Sequence, residues 1–476
     1  MQIERGVLKN AILERFVYDA TADQIEAIDQ LDAFISYTAE KTAFLLKGFA
    51  GTGKTSLIGA LVKTLPSLPL QTVLLAPTGR AAKVLSNYSG KPAFTIHKQI
   101  YRLQSSADGF MMFLLQQNKY TDTLFIVDEA SMISNSQGLE NMNWGKEQNL
   151  LDDLISYVYS GKNCKLVLIG DTAQLPPVGA AYSPALDADL LRSSYYFTLF
   201  TTEMKEVVRQ PDASDILLNA TAIRESLLSE KKQAFRFKQT KKNEVVRVEG
   251  HELEELLNDA YQKYGAEEVM VVCRSNQRAN LFNAQIRVRI KWLDEEIAAG
   301  DYIMVVKNNY FWLADDSKAG FIANGDILEI LKVKRIEEQY HFRFADCTVR
   351  LIDYPNEPDL EVKILLNTIM NKTPALSKEQ SGALYSVILE DYADIPEKKK
   401  KRGEIRKNPY YNALQVKFAY AITCHKSQGG QWKVVFVDQG YLAEDRVDKE
   451  YYRWLYTALT RASEKVYLVG FNDSFF

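Results

Sequence analysis

The sequence predicts an α/β protein of two parallel-sheet domains, with a small β-barrel inserted into the second and a β-hairpin inserted into the first. Three observations carry that prediction. The pattern Gly48-Phe-Ala-Gly-Thr-Gly-Lys54-Thr55 sits between an apolar run at 43–46 and helix-competent residues at 55–65, the strand-to-helix setting of a phosphate-binding loop. Apolar strand-like runs alternate with helical patterns in two series, as parallel sheets with crossover helices require. From about 300 to 415 the alternation gives way to short strands joined by tight turns, the signature of a small barrel.

Taken in order, the first series places strands at 72–76, 125–127, 165–169 and 196–199. Within it, Asp108-Gly109 between apolar residues is a turn signal for a hairpin at about 98–120, and 135–148 has the look of an insertion. The second series has strands at 268–273, 416–422, 433–437 and 465–469 with helices at 276–290 and 449–462. Barrel strands are expected at 326–332, 339–344 and 348–353, followed by a mainly helical 361–392. The run Glu397-Lys-Lys-Lys-Lys-Arg402-Gly-Glu-Ile-Arg-Lys407 reads as an exposed, solvated basic loop, with phosphate contact as the alternative. The expected domains are therefore 1–200, 201–300 joined to 416–476, and the insertion 301–415. No internal repeat of fixed period is present.

The chemistry begins at the loop. Gly48, Gly51 and Gly53 let main-chain N–H groups, with those of Ala50, Thr52 and Ser56, converge on phosphate oxygens at a helix N-terminus. Lys54 reaches the β and γ phosphates and Thr55 holds Mg²⁺. A second apolar strand, 123–127, runs into Asp128-Glu129. Asp128 suits a Mg²⁺ ligand through water, and Glu129 suits the base that orients and deprotonates attacking water. ATP and Mg²⁺ are the cofactors expected.

Composition sets the outer limits. A chain of 476 residues with 46% hydrophobic content has room for about three domains. No run of 18 apolar residues exists and Met-Gln-Ile-Glu-Arg is no signal peptide, so a cytoplasmic protein without membrane partners is expected. Cys164, Cys273, Cys347 and Cys424 are far apart in sequence, which indicates neither a disulfide framework nor a zinc site. The net charge of -3 gives no global mark of nucleic-acid binding, so any such binding belongs to a local groove.

Eight segments occur in order: Thr21-Ala-Asp-Gln24, Ala76-Pro-Thr-Gly-Arg-Ala-Ala-Lys83, Thr95-Ile-His97, Asp128-Glu-Ala-Ser131, Gly170-Asp-Thr-Ala-Gln-Leu-Pro-Pro-Val178, Val208-Arg-Gln210, Thr423-Cys-His-Lys-Ser-Gln-Gly-Gly-Gln431 and Tyr456-Thr-Ala-Leu-Thr-Arg-Ala462. With the phosphate loop they resemble the motif set of superfamily 1 helicases, nearest the RecD-like and Dda-like branch. The resemblance implies two RecA-like domains, a β-hairpin pin and an SH3-like barrel. It implies that Gln24 reads adenine, although the residue also suits the first turn of a helix capped by Thr21. Gln174 would contact the γ-phosphate, and Gln428 and Gly429 would approach the same phosphates. Arg209 and Arg461 would be arginine fingers from the second domain, with surface salt bridges as the alternative for both.

Pro77, Thr78, Thr95, His97, Thr423 and His425 would line a single-strand groove. Phe110 or Met111 would stack at the pin tip or pack against the barrel. The implied function is an ATP- and Mg²⁺-dependent DNA helicase moving 5′ to 3′ on single-stranded DNA, acting on 5′-tailed duplexes in replication, recombination or repair. It would work as a monomer, with a single-strand-binding or repair protein as candidate partner. The alternatives are an RNA-directed or protein-displacing translocase and a non-catalytic nucleotide-switched scaffold. Intact Lys54, Asp128, Glu129 and Arg461 argue against the scaffold.

Overall fold

The computed structural model of the chain describes all residues except 1–5, 17–18, 106–110, 136–148, 209–213, 230–234, 315–316, 318, 320, 355–356, 372, 374 and 443–446. Helices α1 (Val7–Leu13) and α2 (Ala22–Ser36) lead into strand β1 (Thr42–Gly48), helix α3 (Lys54–Thr64), β2 (Gln71–Ala76), α4 (Gly79–Ser89), β3 (Ala93–Thr95) and α5 (Ile96–Ile100). The hairpin β4 (Tyr101–Ser105) and β5 (Met111–Leu115) follows, then β6 (Thr121–Val127), α6 (Leu150–Ser160), β7 (Lys162–Gly170), α7 (Ala188–Tyr195) and β8 (Thr198–Met204). Six of these strands form one parallel sheet in the order β3-β2-β6-β7-β1-β8. Side chains alternate between its faces with period two: Leu45, Leu75, Phe125 and Leu168 enter one core cluster, while Phe44, Leu46, Ile126 and Ile169 enter the other. Burial on both faces explains why these strands read as unbroken apolar runs.

Helix α8 (Asp215–Leu228), β9 (Val245–Val248), α9 (Leu253–Tyr264), β10 (Val269–Cys273) and α10 (Asn276–Gln285) begin the second domain. The chain then enters the barrel through β11 (Tyr302–Val305), β12 (Ile327–Gln339), β13 (Phe342–Leu351) and β14 (Leu360–Leu365), followed by α11 (Lys378–Glu390), α12 (Lys398–Lys407) and β15 (Leu414–Phe418). It returns through β16 (Ala421–Thr423), α13 (Cys424–Ser427), β17 (Trp432–Asp438), α14 (Lys449–Leu459) and β18 (Ala462–Val469). The second sheet is parallel, ordered β16-β10-β17-β18-β9, and β11 to β15 close a five-stranded barrel. Barrel and sheet share one core, in which Ile303, Val349 and Val416 join Val271 and Phe436.

Five details differ from the sequence reading. The run 416–422 is two strands: Val416 belongs to β15 in the barrel, and β16 starts the return to the second sheet. The join at Ala419 and Tyr420 is itself buried, so no polar break marks it. The three short barrel strands are two long ones, β12 and β13, turned at Tyr340 and His341 with φ 54° and 63°. A turn with two left-handed residues normally uses glycine or asparagine, and its absence concealed the hairpin. Residues 361–365 are strand before the helix begins, and the basic run expected as a loop is helix α12. The last strand of the first sheet, expected to end at 199, is β8 and runs to Met204. Strands of the hairpin insertion pair as expected, with Ser105 opposite Met111. Met111 is therefore a strand residue, and Phe110 with the rest of the tip lies outside the described residues, as does 136–148 of the insertion after Asp128-Glu129.

Candidate active site and nucleic-acid track

Strand β1, between β7 and the edge strand β8, ends at Gly48, and the chain turns through Gly51 (φ 77°) and Gly53 (φ 85°) into α3. Only residues without a Cβ take these left-handed angles cheaply. Gly53 has a second reason, because a Cβ there would lie 2.2 Å from Gln24 Nε2. No side chain caps α3, so its first N–H groups remain available to an anion. Thr52 is buried and braces the loop by donating to Phe49 O at 2.8 Å, while Thr55 and Ser56 stand exposed on the first turn. Lys54 Nζ donates to Gly48 O at 2.7 Å and Phe49 O at 2.9 Å. A triphosphate would exchange those carbonyls for stronger, charged acceptors.

Gln24 takes the helix-start position that Thr21 caps. Its Oε1 accepts from Thr21 N at 2.9 Å as part of a capping box, and its Nε2 donates to Thr52 O at 3.1 Å. The side chain is thus fixed against the loop by the helix start that carries it.

Beside the loop, β6 delivers Asp128 and Glu129. Asp128 accepts from Tyr88 Oη at 2.6 Å and from Glu129 N at 2.8 Å. Burial and the Asp128 charge hold the Tyr88 phenol protonated far above its ordinary range. Glu129 has φ 51°, a conformation that costs a non-glycine residue free energy and clusters at functional sites. Burial raises its carboxyl to about 7, with Asp128 and Asp171 pushing the same way and Arg461 and Lys54 pulling down. That range suits a base working near neutrality. Ser131 Oγ and Gln174 Oε1 are buried without a hydrogen-bond partner. Such orphans cost about 1–3 kcal/mol each, so a polar ligand that satisfied them would bind with that advantage. The donor set also fits Mg²⁺: hard oxygens from Thr55 and Asp128 are few, and this cation takes most of its ligands from water and phosphate.

The second domain closes over this site. Tyr456 of α14 accepts from Ala50 N at 2.7 Å and donates to Asp171 Oδ2 at 2.7 Å. Leu175 N donates to Thr457 Oγ1 at 2.9 Å, and Gln428 Nε2 donates to Leu175 O at 2.8 Å. Gly429 (φ 71°) lets α13 approach α4, since a Cβ would meet that of Ala81 at 2.7 Å. Arg461 is 6% exposed and donates to Thr457 O, Gly430 O and Thr460 Oγ1 at 3.0, 3.2 and 3.2 Å. It is neither at the surface nor, among the described residues, paired with a carboxylate. Arg209 lies outside the described residues.

The track residues share one structural position. Pro77 and Thr78 follow the C-terminal end of β2, Thr95 ends β3 with His97 behind it, and Thr423 ends β16 with His425 behind it. In parallel sheets ligands bind beyond the carboxyl ends of strands. Thr78 and Thr95 cap α4 and α5 by accepting from Ala81 N and Lys98 N at 3.2 Å each. His97 lies 5.5 Å from the Tyr101 ring, and burial lowers its imidazole to about 4. A neutral ring beside a second aromatic suits base stacking better than phosphate pairing.

Two family models match the chain in order, one described as an AAA domain over residues 21–248 and one described as a UvrD-like helicase C-terminal domain over 418–469. The chain is 25% identical to the ATP-dependent RecD2 DNA helicase of Deinococcus radiodurans, across 94% of this chain and 48% of that protein. It is 23% identical to the ATP-dependent DNA helicase dda of Enterobacteria phage T4, across 81% of this chain and 84% of that one. A solved structure of two coordinating Pif1 helicases at forked duplex DNA has the same fold, with TM-score 0.50, 15% identity, and coverage of 96% of this chain and 94% of its own. Both family models and these two relatives make the chain similar to the RecD- and Dda-like helicases of superfamily 1. It spans about half the length of RecD2.

Several residues of this cleft carried no assigned role in the sequence reading. Tyr456 and Asp171 stood inside quoted motifs, and their pairing across the cleft was the missing signal. Arg80 stacks on the Trp432 ring at 4.0 Å and joins the two domains. Tyr88 has no sequence signal, because nothing local distinguishes it from the other residues of α4.

Proposed function

We propose that the protein is an ATP-driven motor that translocates 5′ to 3′ on single-stranded DNA and separates duplex ahead of it. The carrying observation is the placement of Lys54, Asp128 and Glu129 on one domain against Arg461, Gln428 and Tyr456 on the other, with Thr78, Thr95 and Thr423 at strand ends of the two sheets. Lys54 and the α3 N-terminus bind the triphosphate, and Thr55 and Asp128 would hold Mg²⁺, which would supply charge neutralisation at the phosphates. Glu129 takes the proton of attacking water. Arg461 moves onto the developing charge as the domains tighten, and Arg209 acts with it from the same side. Gln174, whose side-chain amide N–H can donate to a phosphate oxygen, reports the γ-phosphate to the groove. Thr78, Thr95 and Thr423 bind backbone phosphates while His97 and His425 stack on bases. The two halves of the groove grip in alternation as the cleft closes and opens.

The deciding measurement is ATPase rate with and without single-stranded DNA or RNA, followed by unwinding of 5′-tailed and 3′-tailed duplexes. Stimulation by DNA and opening of the 5′-tailed substrate are expected. Preference for RNA, or translocation without strand separation, would replace the proposal by one of its alternatives.

A further inference from the structure

Helix α12 carries seven cations and one carboxylate, Glu404, in ten residues of a chain whose net charge is -3. Like charges one turn apart destabilise a helix, so this segment is helical against its own charge. Its anchor is Ile405, 1% exposed, which enters the cluster of Phe342, Phe344 and Leu365 on the barrel with Ile388 of α11. Lys407 pairs with Glu404 at 3.1 Å, and Lys400 and Lys407 are exposed.

The position of α12 matters as much as its charge. Strand β12 starts beside Asp326, whose Oδ1 would be 2.5 Å from a Cβ on Gly79, the residue after Thr78. Its other end, Gln339, is 13 residues along, about 40 Å of extended strand. The loop leaving α12 packs at that far end, with the Tyr410 ring 5.3 Å from Tyr340 and 5.0 Å from Phe344. The basic helix therefore sits away from the strand ends that form the track.

We infer that α12 holds the duplex arm ahead of the junction, its cations set along the phosphates of one strand. The inference rests on the unwinding function proposed above, which brings a duplex to the protein in every cycle. Ten residues of helix cover about 15 Å, along which one DNA strand presents about four phosphates. Such contacts position DNA without reading sequence, as a motor that must pass every sequence requires. An acidic protein segment has the same charge, but no feature of the barrel surface selects for one.

The test is the variant Lys400→Gln, Lys401→Gln, Lys407→Gln of the whole chain, compared with wild type for binding to blunt duplex, 5′-tailed duplex and single strand across a salt series. Circular dichroism and melting temperature verify that α12 and the barrel remain folded. Expected are a loss of duplex affinity of tenfold or more and a duplex salt slope shallower by about 2 to 3. Single-strand affinity and single-strand-stimulated ATPase should stay at wild-type values. Equal losses on single strand and duplex would assign the helix to the track and overturn the inference. Unchanged duplex binding would also overturn it, whether poly-glutamate binding is lost, marking an acidic-protein site, or kept, marking a solvated face. Failure of the helicase reading itself would appear separately, as wild-type ATPase indifferent to nucleic acid.

Discussion

The main-chain N–H of Ala50 donates to the Tyr456 hydroxyl at 2.7 Å, and that hydroxyl donates to Asp171 at 2.7 Å. One phenol thus connects the phosphate loop to the helix that leads into Arg461. A nucleotide competing for the Ala50 donor must release Tyr456, which gives the second domain a direct report of occupancy. Tyr456→Phe keeps the ring and deletes both hydrogen bonds. It should tighten nucleotide binding by up to about tenfold, since a hydrogen bond nets about 0.5–1.5 kcal/mol, and should lower the ratio of DNA-stimulated to basal kcat. Nucleotide titration and steady-state kinetics check this; a fall in Tm with both quantities unchanged would leave Tyr456 a packing residue.

Glu129 gives a pH dependence. A carboxyl raised to about 7 by burial is protonated in much of the protein below neutrality and cannot accept the water proton. The rate kcat/KM should therefore rise with pH through about 7 and level off above it, the sign expected of an essential base. Glu129→Gln should bind ATP, stall with the domains closed and lose this pH limb. A wild-type profile flat from pH 6 to 8 would remove Glu129 from the role.

Lys54→Ala removes the charge placed for the β and γ phosphates. Hydrolysis should disappear while nucleotide-free DNA affinity survives. Near-normal DNA-stimulated ATPase would reject the phosphate-loop assignment.

Arg461→Ala should lower kcat by roughly 10³ or more with little change in nucleotide affinity, if its charge acts on the transition state. The side chain also donates to three oxygens of its own domain, so Arg461→Lys, which keeps charge without the fork, separates the roles. Recovery of Tm without recovery of kcat would fit a finger. Full recovery of both would make the arginine a simple cation.

The hairpin of β4 and β5 projects from the first sheet's edge helix α5. Shortening its turn should abolish strand separation while leaving single-strand-stimulated ATPase intact, because the residues proposed to bind ATP and the strand's phosphates lie outside that turn. Parallel loss of both activities on matched DNA would make the hairpin a structural support.

What the sequence determined by itself was local. The phosphate loop, Asp128-Glu129 and the threonines at strand ends are each fixed by a strand, a short turn and a helix start within a few residues, and apolar runs place those strands in a buried parallel sheet. Tertiary structure decided the rest. Tyr456 meets Ala50 across 406 residues, a distance over which no pattern in one chain specifies a pairing. The run 416–422 divides between barrel and sheet because both ends of it are buried, so hydrophobicity is uniform where the topology changes. The hairpin at Tyr340 and His341 is imposed by the ten register pairs of β12 and β13, which outweigh the weak local preference of those residues against left-handed turns. Helix α12 forms for the same reason: its own charge opposes it, and the burial of Ile405 on the barrel supplies the stabilisation that the segment lacks alone.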